Sequence, residues 1–334
     1  MAKLGVEEQI GALSRLRESP VTAATLAELR KGLGARVNLV CAKAAQVAGD
    51  LLVKPLIPDL VGCFDRFFKN HGEADPQCWA KNAIAKALTD LGHDEAATFL
   101  RGCHYVQMES GWGGKTDTAI TLRSLCTLAL VQCADLPRAG KLRELVVSMT
   151  DTAETVRIDA IRAVEQMEGE EAELLLRLKA GIGDKRAAVV GQTLESLLRV
   201  EGERALDFAR GFLEERAREN VREMPSTEEE IVEEAALALG ASRLPAAVEA
   251  LKDAWQREPK TVFLQAVSAS RQASGFEFLL ELVRSGRERD AAAAVDALAL
   301  HRDSLEVRAS VEKAVQTRGS AELGERFRAK FGVR

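Results

Sequence analysis

Residues 151–184 read DTAETVRIDAIRAVEQMEGEEAELLLRLKAGIGD, and they decide the fold. Val156, Ala160, Ile161, Ala163 and Val164 recur at i, i+4, i+5, i+7 and i+8, which is one face of an α-helix. Thr152 or Thr155 can cap its start, and Gly169 marks its end. Glu170 to Ala180 then forms a second amphipathic helix with Leu174, Leu175 and Leu178 on one side. Two helices this short cannot bury their apolar faces alone, so the hairpin requires neighbours of its own kind.

Those neighbours are present. The first-helix pattern recurs at Val40–Ala44–Ala45–Ala48–Gly49, Trp79–Ala83–Ile84–Ala87–Leu88 and Leu122–Cys126–Ala129–Leu130. It returns at Val189–Thr193–Leu194–Leu197 and Ile231–Ala235–Ala236–Leu239, and more weakly at Val262–Ala266–Val267 and Ala294–Val295–Leu298. The anchors Leu122, Val156, Val189, Ile231 and Val262 are spaced 34, 33, 42 and 31 residues apart. A drifting period of this size belongs to helical solenoids. The Val-Arg start, the Ala-x-x-Ala-Leu core and the Gly or Asp turn resemble HEAT repeats over roughly residues 36–300, especially the short variety of the phycobilin-lyase-like family. That resemblance implies an all-α, right-handed α-α superhelix of about eight or nine helical hairpins, in which the second helices typically line the concave side. HEAT-like repeats serve many functions, so the likeness specifies architecture and leaves chemistry open.

Residues 1–35 read as an N-terminal capping pair: a helix from Gly5 to Arg17, a break at Pro20, and a helix with Leu26, Leu29 and Leu33 on one face. Residues 36–300 form the repeat array, and residues 301–334 a closing hairpin with Leu323, Phe327 and Phe331 inward.

Composition agrees with this organisation. At 334 residues the chain exceeds what a single core holds, and it is poor in the aromatics that a large sheet needs. The net charge of −5 is uneven: residues 1–150 carry 18 Lys/Arg against 16 Asp/Glu, and residues 151–334 carry 28 against 35. Neither half is basic enough for phosphate-backbone binding as a main activity, which makes nucleic acid an unlikely partner. The six cysteines lack paired spacing and read as small buried hydrophobes in a reducing compartment. No run of apolar residues reaches the length of a membrane span, and the N-terminus is not a secretory signal. The expectation is a cytoplasmic protein; oligomeric state is not legible.

The segment RGCHYVQMESGWGGKTD, residues 101–117, stands apart. It lengthens the interval between the Trp79 and Leu122 anchors to 43 and holds the only tyrosine. Its composition suits a recognition loop with aromatic anchors, and His104, Tyr105, Glu109, Trp112 and Lys115 are its candidate partner-binding residues. The alternative is that Tyr105 and Trp112 fold back to plug the space between repeats. Gly113-Gly114-Lys115-Thr116 is not a phosphate loop, because Glu109 stands where its first glycine belongs and no strand precedes it. Cys103, His104, His93, His71 and Cys78 lack the paired spacing of a structural metal site, so no metal and no cofactor is expected.

The acidic run at 223–234 reads as a capped helix start, with Ser226 or Thr227 as cap and Glu229 or Glu230 completing a capping box. A long helix is expected over Gly202–Val221, its arginines interleaved with glutamates on a solvated face. Arg123, Arg157 and Arg308 recur at matching repeat positions, which suggests a ladder pairing with acids of the adjacent repeat. No nucleophile–base set stands out, so no catalytic residue is assigned. The reading leans away from an enzyme, towards an interaction scaffold binding a protein or peptide along the solenoid surface. A chromophore- or cofactor-handling enzyme and a nucleic-acid-binding protein of the HEAT-like glycosylase kind are the alternatives that the resemblance implies.

Overall fold

The computed structural model describes residues 5–69, 73–111, 113–214 and 227–332. Trp112, His71 and Ser226, and Glu215, Arg216, Arg218 and Glu219 of the helix expected over Gly202–Val221, lie outside the described residues. The chain divides into two compact units, Met1–Met167 and Glu168–Arg334. Both are stacks of helical hairpins, and the protein is an all-α solenoid.

In the first unit, α1 (Val6–Arg15) and α2 (Ala23–Leu33) open the stack. The Thr22 hydroxyl caps α2 by accepting from the Thr25 amide. There follow α3 (Asn38–Asp50), α4 (Ile57–Lys69), α5 (Trp79–Asp90) and α6 (Ala96–Cys103). An antiparallel hairpin of β1 (Met108–Gly111) and β2 (Gly114–Asp117) comes next, then α7 (Ile120–Ala129), α8 (Arg138–Ser148) and α9 (Glu154–Met167). The first helices α3, α5, α7 and α9 pack one against the next through small residues: Ala44, Ala45 and Ala48 on α3, and Ala80, Ala83 and Ala87 on α5, are all buried. The approach is close; a Cβ on Gly49 would stand 3.3 Å from the Ala87 Cα. Behind this layer α4, α6 and α8 supply bulk, with Leu60, Phe64, Phe67, Phe99 and Leu145 buried.

The second unit comprises α10 (Gly169–Ile182), α11 (Ala187–Glu201), α12 (Leu206–Gly211), α13 (Glu228–Ser242) and α14 (Pro245–Arg257). It continues with α15 (Thr261–Ala269), α16 (Ala273–Ser285), α17 (Glu288–Leu298), α18 (Leu305–Arg318) and α19 (Ala321–Phe331). Here α11, α13, α15 and α17 stack in turn. The expected capping box is present at Thr227 and Glu230. Leu323, Phe327 and Phe331 face inward at the close of the chain, and Arg326 pairs with Asp296 of α17.

Four expectations from the sequence change. Over 202–214, the described part of the helix expected at Gly202–Val221, the chain forms a 3₁₀ turn, Gly202–Ala205, and the six-residue α12, after Gly202 takes φ +59° and ends α11. The α9 start is held by Asp151, whose carboxylate accepts from the Ala153 amide, and not by Thr152 or Thr155. Trp79, read as a core anchor, is 51 % exposed; Cys78 is buried instead. On α10 the buried residues are Ala172, Leu176 and Ala180, while Leu174 and Leu178 face outward.

Candidate interaction site

The turn before α5 is built around Asp75. Its buried carboxylate accepts from the Ala80 and Lys81 amides at 2.9 and 3.0 Å and from Asn38 Nδ2 at 3.0 Å, and it pairs with Lys81 Nζ at 3.1 Å. Both members of the ion pair are fully buried. Reaching this geometry places Gln77 and Cys78 in the left-handed region, at φ +57° and +54°, where side-chain-bearing residues are strained.

The hairpin supplies what holds that turn. Glu109 accepts from the Gln77 amide at 2.6 Å, and Gln107 Nε2 donates to the Asp75 carbonyl at 2.8 Å. Glu109 also accepts from the Gln107 amide group and from Thr118 Oγ1. Burial pushes the Glu109 carboxyl up, but these donors outweigh it and hold the group below the usual carboxylate range. The Lys81 ammonium lies 5.1 Å from the Tyr105 ring centre and 5.9 Å from that of Phe68, a desolvated cation–π arrangement. Tyr105 meets Phe68 edge to face at 4.9 Å and donates its hydroxyl to Gln107.

One repeat further on, the same construction uses arginine. Asp117 accepts from the Ala119 amide at the start of α7 and from Arg123 Nη1 at 2.7 Å. Arg123 then grips Asp151 of the next repeat through Nε and Nη2, at 2.8 and 3.2 Å, and donates to the Tyr105 carbonyl. Burial raises the Asp117 carboxyl, yet the Ala119 amide and the Arg123 guanidinium leave it below its ordinary value. Arg157 donates to the Asp151 and Thr152 carbonyls. Arg123 is thus a rung of the expected ladder, reaching an acid of the next repeat. The sequence reading expected acids as partners but did not say which, and it missed the Lys81–Asp75 pair. The signal was an acid six residues before each cation: DPQCWAK at 75–81, DTAITLR at 117–123 and DTAETVR at 151–157.

Beside this junction Arg17 and residues of α3, α5 and α7 line an open recess of about 610 Å³. Gly49, Ala83 and Ala87 are among its lining residues. Trp79 walls one end, Leu125 and Thr121 come from α7, and the ion pairs Arg17–Asp50 and Lys86–Asp90 border it. Asn82 Oδ1 is buried with no hydrogen-bond partner among the described residues, a rare state for an interior amide. The cavity therefore opens on first helices, whereas the HEAT resemblance led us to expect second helices to line the groove. The small residues that bring the first helices together also leave the space. Trp79 follows Gln77 by two residues and Thr121 follows Asp117 by four, so the hairpin base and the cavity share the starts of α5 and α7.

The five candidate residues of the sequence do not converge. Tyr105 turns inward over Lys81, and Glu109 is engaged at the turn before α5. His104 turns away, pairing with Glu144 of α8 at 2.8 Å. Lys115 is exposed on β2, opposite Ser110, and Trp112 lies outside the described residues. Val106 and Met108 are exposed beside them. All six cysteines are free and buried. Burial pushes the Cys78 and Cys133 thiols up to about 11 and Cys103 up to about 12. Cys41 moves the other way, lowered by its hydrogen bond with Cys63 and by Arg66, whose guanidinium chiefly caps the Leu33 and Ala35 carbonyls after α2. Among the described residues no group of three His, Cys, Asp or Glu side chains is placed to hold a metal ion. No described helix is long and apolar enough to cross a membrane.

No protein-family model matches the chain, and no curated protein matches it. Among solved structures it is similar to human deoxyhypusine hydroxylase in complex with glycerol. The identity is 19%, over 83% of this chain and 92% of that one, with a TM-score of 0.28.

Proposed function

We propose that the protein is a non-enzymatic interaction scaffold that binds a peptide segment of another protein in the first-helix cavity of its first unit. The observation that supports this most is Trp79, a half-exposed indole walling a cavity lined in part by glycine and alanine. Such a recess accepts one apolar anchor side chain. The bordering pairs Arg17–Asp50 and Lys86–Asp90 offer both signs of charge to the residues flanking that anchor. The charged groups at the rim pair with one another across or along helices, an arrangement that suits docking more than acid–base work. The hairpin, with exposed Lys115, Val106 and Met108, extends the same surface beyond the start of α5.

A peptide-display library selected on the intact protein tests the reading. Selected peptides should bind the wild type and lose about tenfold or more in affinity to Trp79→Ala, by fluorescence anisotropy, with the melting temperature unchanged. Peptides that bind Trp79→Ala as tightly as the wild type would remove the cavity from the proposal.

A further inference from the structure

Two thiols of the first unit meet over one guanidinium. Cys41 of α3 and Cys63 of α4 each lie 3.3 Å from Arg66 Nη2. They also share an acceptor, since Cys41 Sγ stands 3.5 Å and Cys63 Sγ 3.2 Å from the Leu33 carbonyl. Cys41 donates besides to the Ala35 carbonyl at 3.1 Å. Sulfurs gathered around the same two atoms are neighbours, and the two thiols hydrogen-bond to each other.

Their surroundings give the two sulfurs different roles. The hydrogen bond to Cys41 and burial push Cys63 far up, so it keeps its proton. The bond from Cys63 and the Arg66 charge outweigh burial and hold Cys41 below the ordinary thiol range. Asp75 opposes this, but its charge is paired with Lys81. When Cys41 ionises it gives up its bonds to the two carbonyls, and Arg66 still donates to both, at 2.7 and 3.1 Å. Burial pushes Cys78, Cys103, Cys126 and Cys133 upward instead. A thiolate beside a cation, with a protonated thiol in contact, is the arrangement of a nucleophilic and a resolving cysteine. Gly34 and Arg36, on either side of Ala35, are exposed, so a water-sized oxidant has only that stretch between α2 and α3 to pass.

We infer that Cys41 and Cys63 form a peroxide-reactive dithiol, with Cys41 the nucleophile and Cys63 the resolving thiol. The Cys41 thiolate attacks one oxygen of hydrogen peroxide and the O–O bond breaks, leaving a sulfenic acid on Cys41 and a hydroxide that takes up the proton Cys41 released. Cys63 then attacks the sulfenic sulfur, and its proton leaves with the displaced hydroxyl as water. One peroxide is reduced to two waters, and two thiols are oxidised to a disulfide that ties α3 to α4.

Limited hydrogen peroxide on the reduced full chain at about pH 7, followed by unfolding, alkylation of the remaining thiols and peptide mass mapping, reads the result. The peptides holding Cys41 and Cys63 should be joined by a disulfide, the other four cysteines reacting at least about tenfold more slowly. Cys63→Ser should stop at a sulfenic acid on Cys41, trapped by dimedone, and Cys41→Ser should leave Cys63 unoxidised. The wild-type rate should rise with pH and reach half its maximum below the ~8.5 of a free cysteine. Arg66→Gln, with native helix content by circular dichroism, should move that midpoint up and slow the reaction at about pH 7 by about tenfold. A wild type that stays reduced, oxidation spread evenly over the six cysteines, or a first disulfide between any other two would overturn the inference. So would an Arg66→Gln profile identical to that of the wild type.

Discussion

The two units join successive first helices in different ways. In the first, polar groups add to the packing of small residues: Asn38 of α3 donates to Asp75 at the start of α5, and Arg123 of α7 bridges Asp117 and Asp151 before α9. In the second, α13, α15 and α17 meet through contacts of backbone and small side chains. A Cβ on Gly240 would fall 2.4 Å from the Ala266 carbonyl oxygen, and Ser268 Oγ donates to the Ala297 carbonyl at 2.8 Å. The difference follows the insertion between α6 and α7. A hairpin placed inside a stack brings polar backbone and a strained turn against the helix starts, and those groups need partners. Charged side chains reaching several acceptors at once provide them. Where repeats follow one another without interruption, close packing suffices.

If charge holds the first unit, its removal has the largest effect. Arg123→Met leaves Asp117 and Asp151 facing each other without a cation, and should cost about 3–5 kcal/mol in urea unfolding. A cost below about 1 kcal/mol would mean that the ladder is replaceable by apolar packing and would erase the contrast. In the second unit Gly240→Ala forces a methyl group against a backbone carbonyl and should cost about 1–3 kcal/mol. The paired control is Gly62→Ala on α4, where a Cβ meets nothing within 4 Å; it should stabilise by about 0.5–1 kcal/mol. Equal effects at the two glycines would show that close approach is not what distinguishes the second unit.

The smallest effect is in acid. The Asp117 carboxyl is depressed in the folded chain, so its contribution is present above its unfolded pKa of about 4 and fades as pH falls through the lower folded value. Asp117→Asn should flatten the loss of stability below about pH 4, measured by urea midpoints from neutral pH downwards. An acid limb identical to that of the wild type would show that the carboxyl is not what the guanidinium senses.

The stack itself was legible because its periodicity is repeated: Val156, Ala160 and Val164 recur in kind at each first helix, and most of those positions are buried. Single-helix spacing was weaker evidence for the second helices. Leu174 and Leu178 share a face with each other but not with Leu176, and nothing local says which face meets the stack. Trp79 misled for a related reason, since an aromatic at an anchor position reads as core whether its neighbour fills the space or leaves a cavity. The hairpin over 108–117 was legible only as an interruption, because Glu109 and Gln107 are fixed by partners at Asp75 and Gln77, some thirty residues away.

The placement of sulfur has a use beyond packing. Every cysteine belongs to the first unit and every one is buried, while Trp255 is buried in the second. Alkylation of the native chain therefore times the opening of the first unit alone, whereas the tryptophans, Trp79 and Trp112 in the first unit and Trp255 in the second, report on both. The thiols are thus a clock for one part of the molecule.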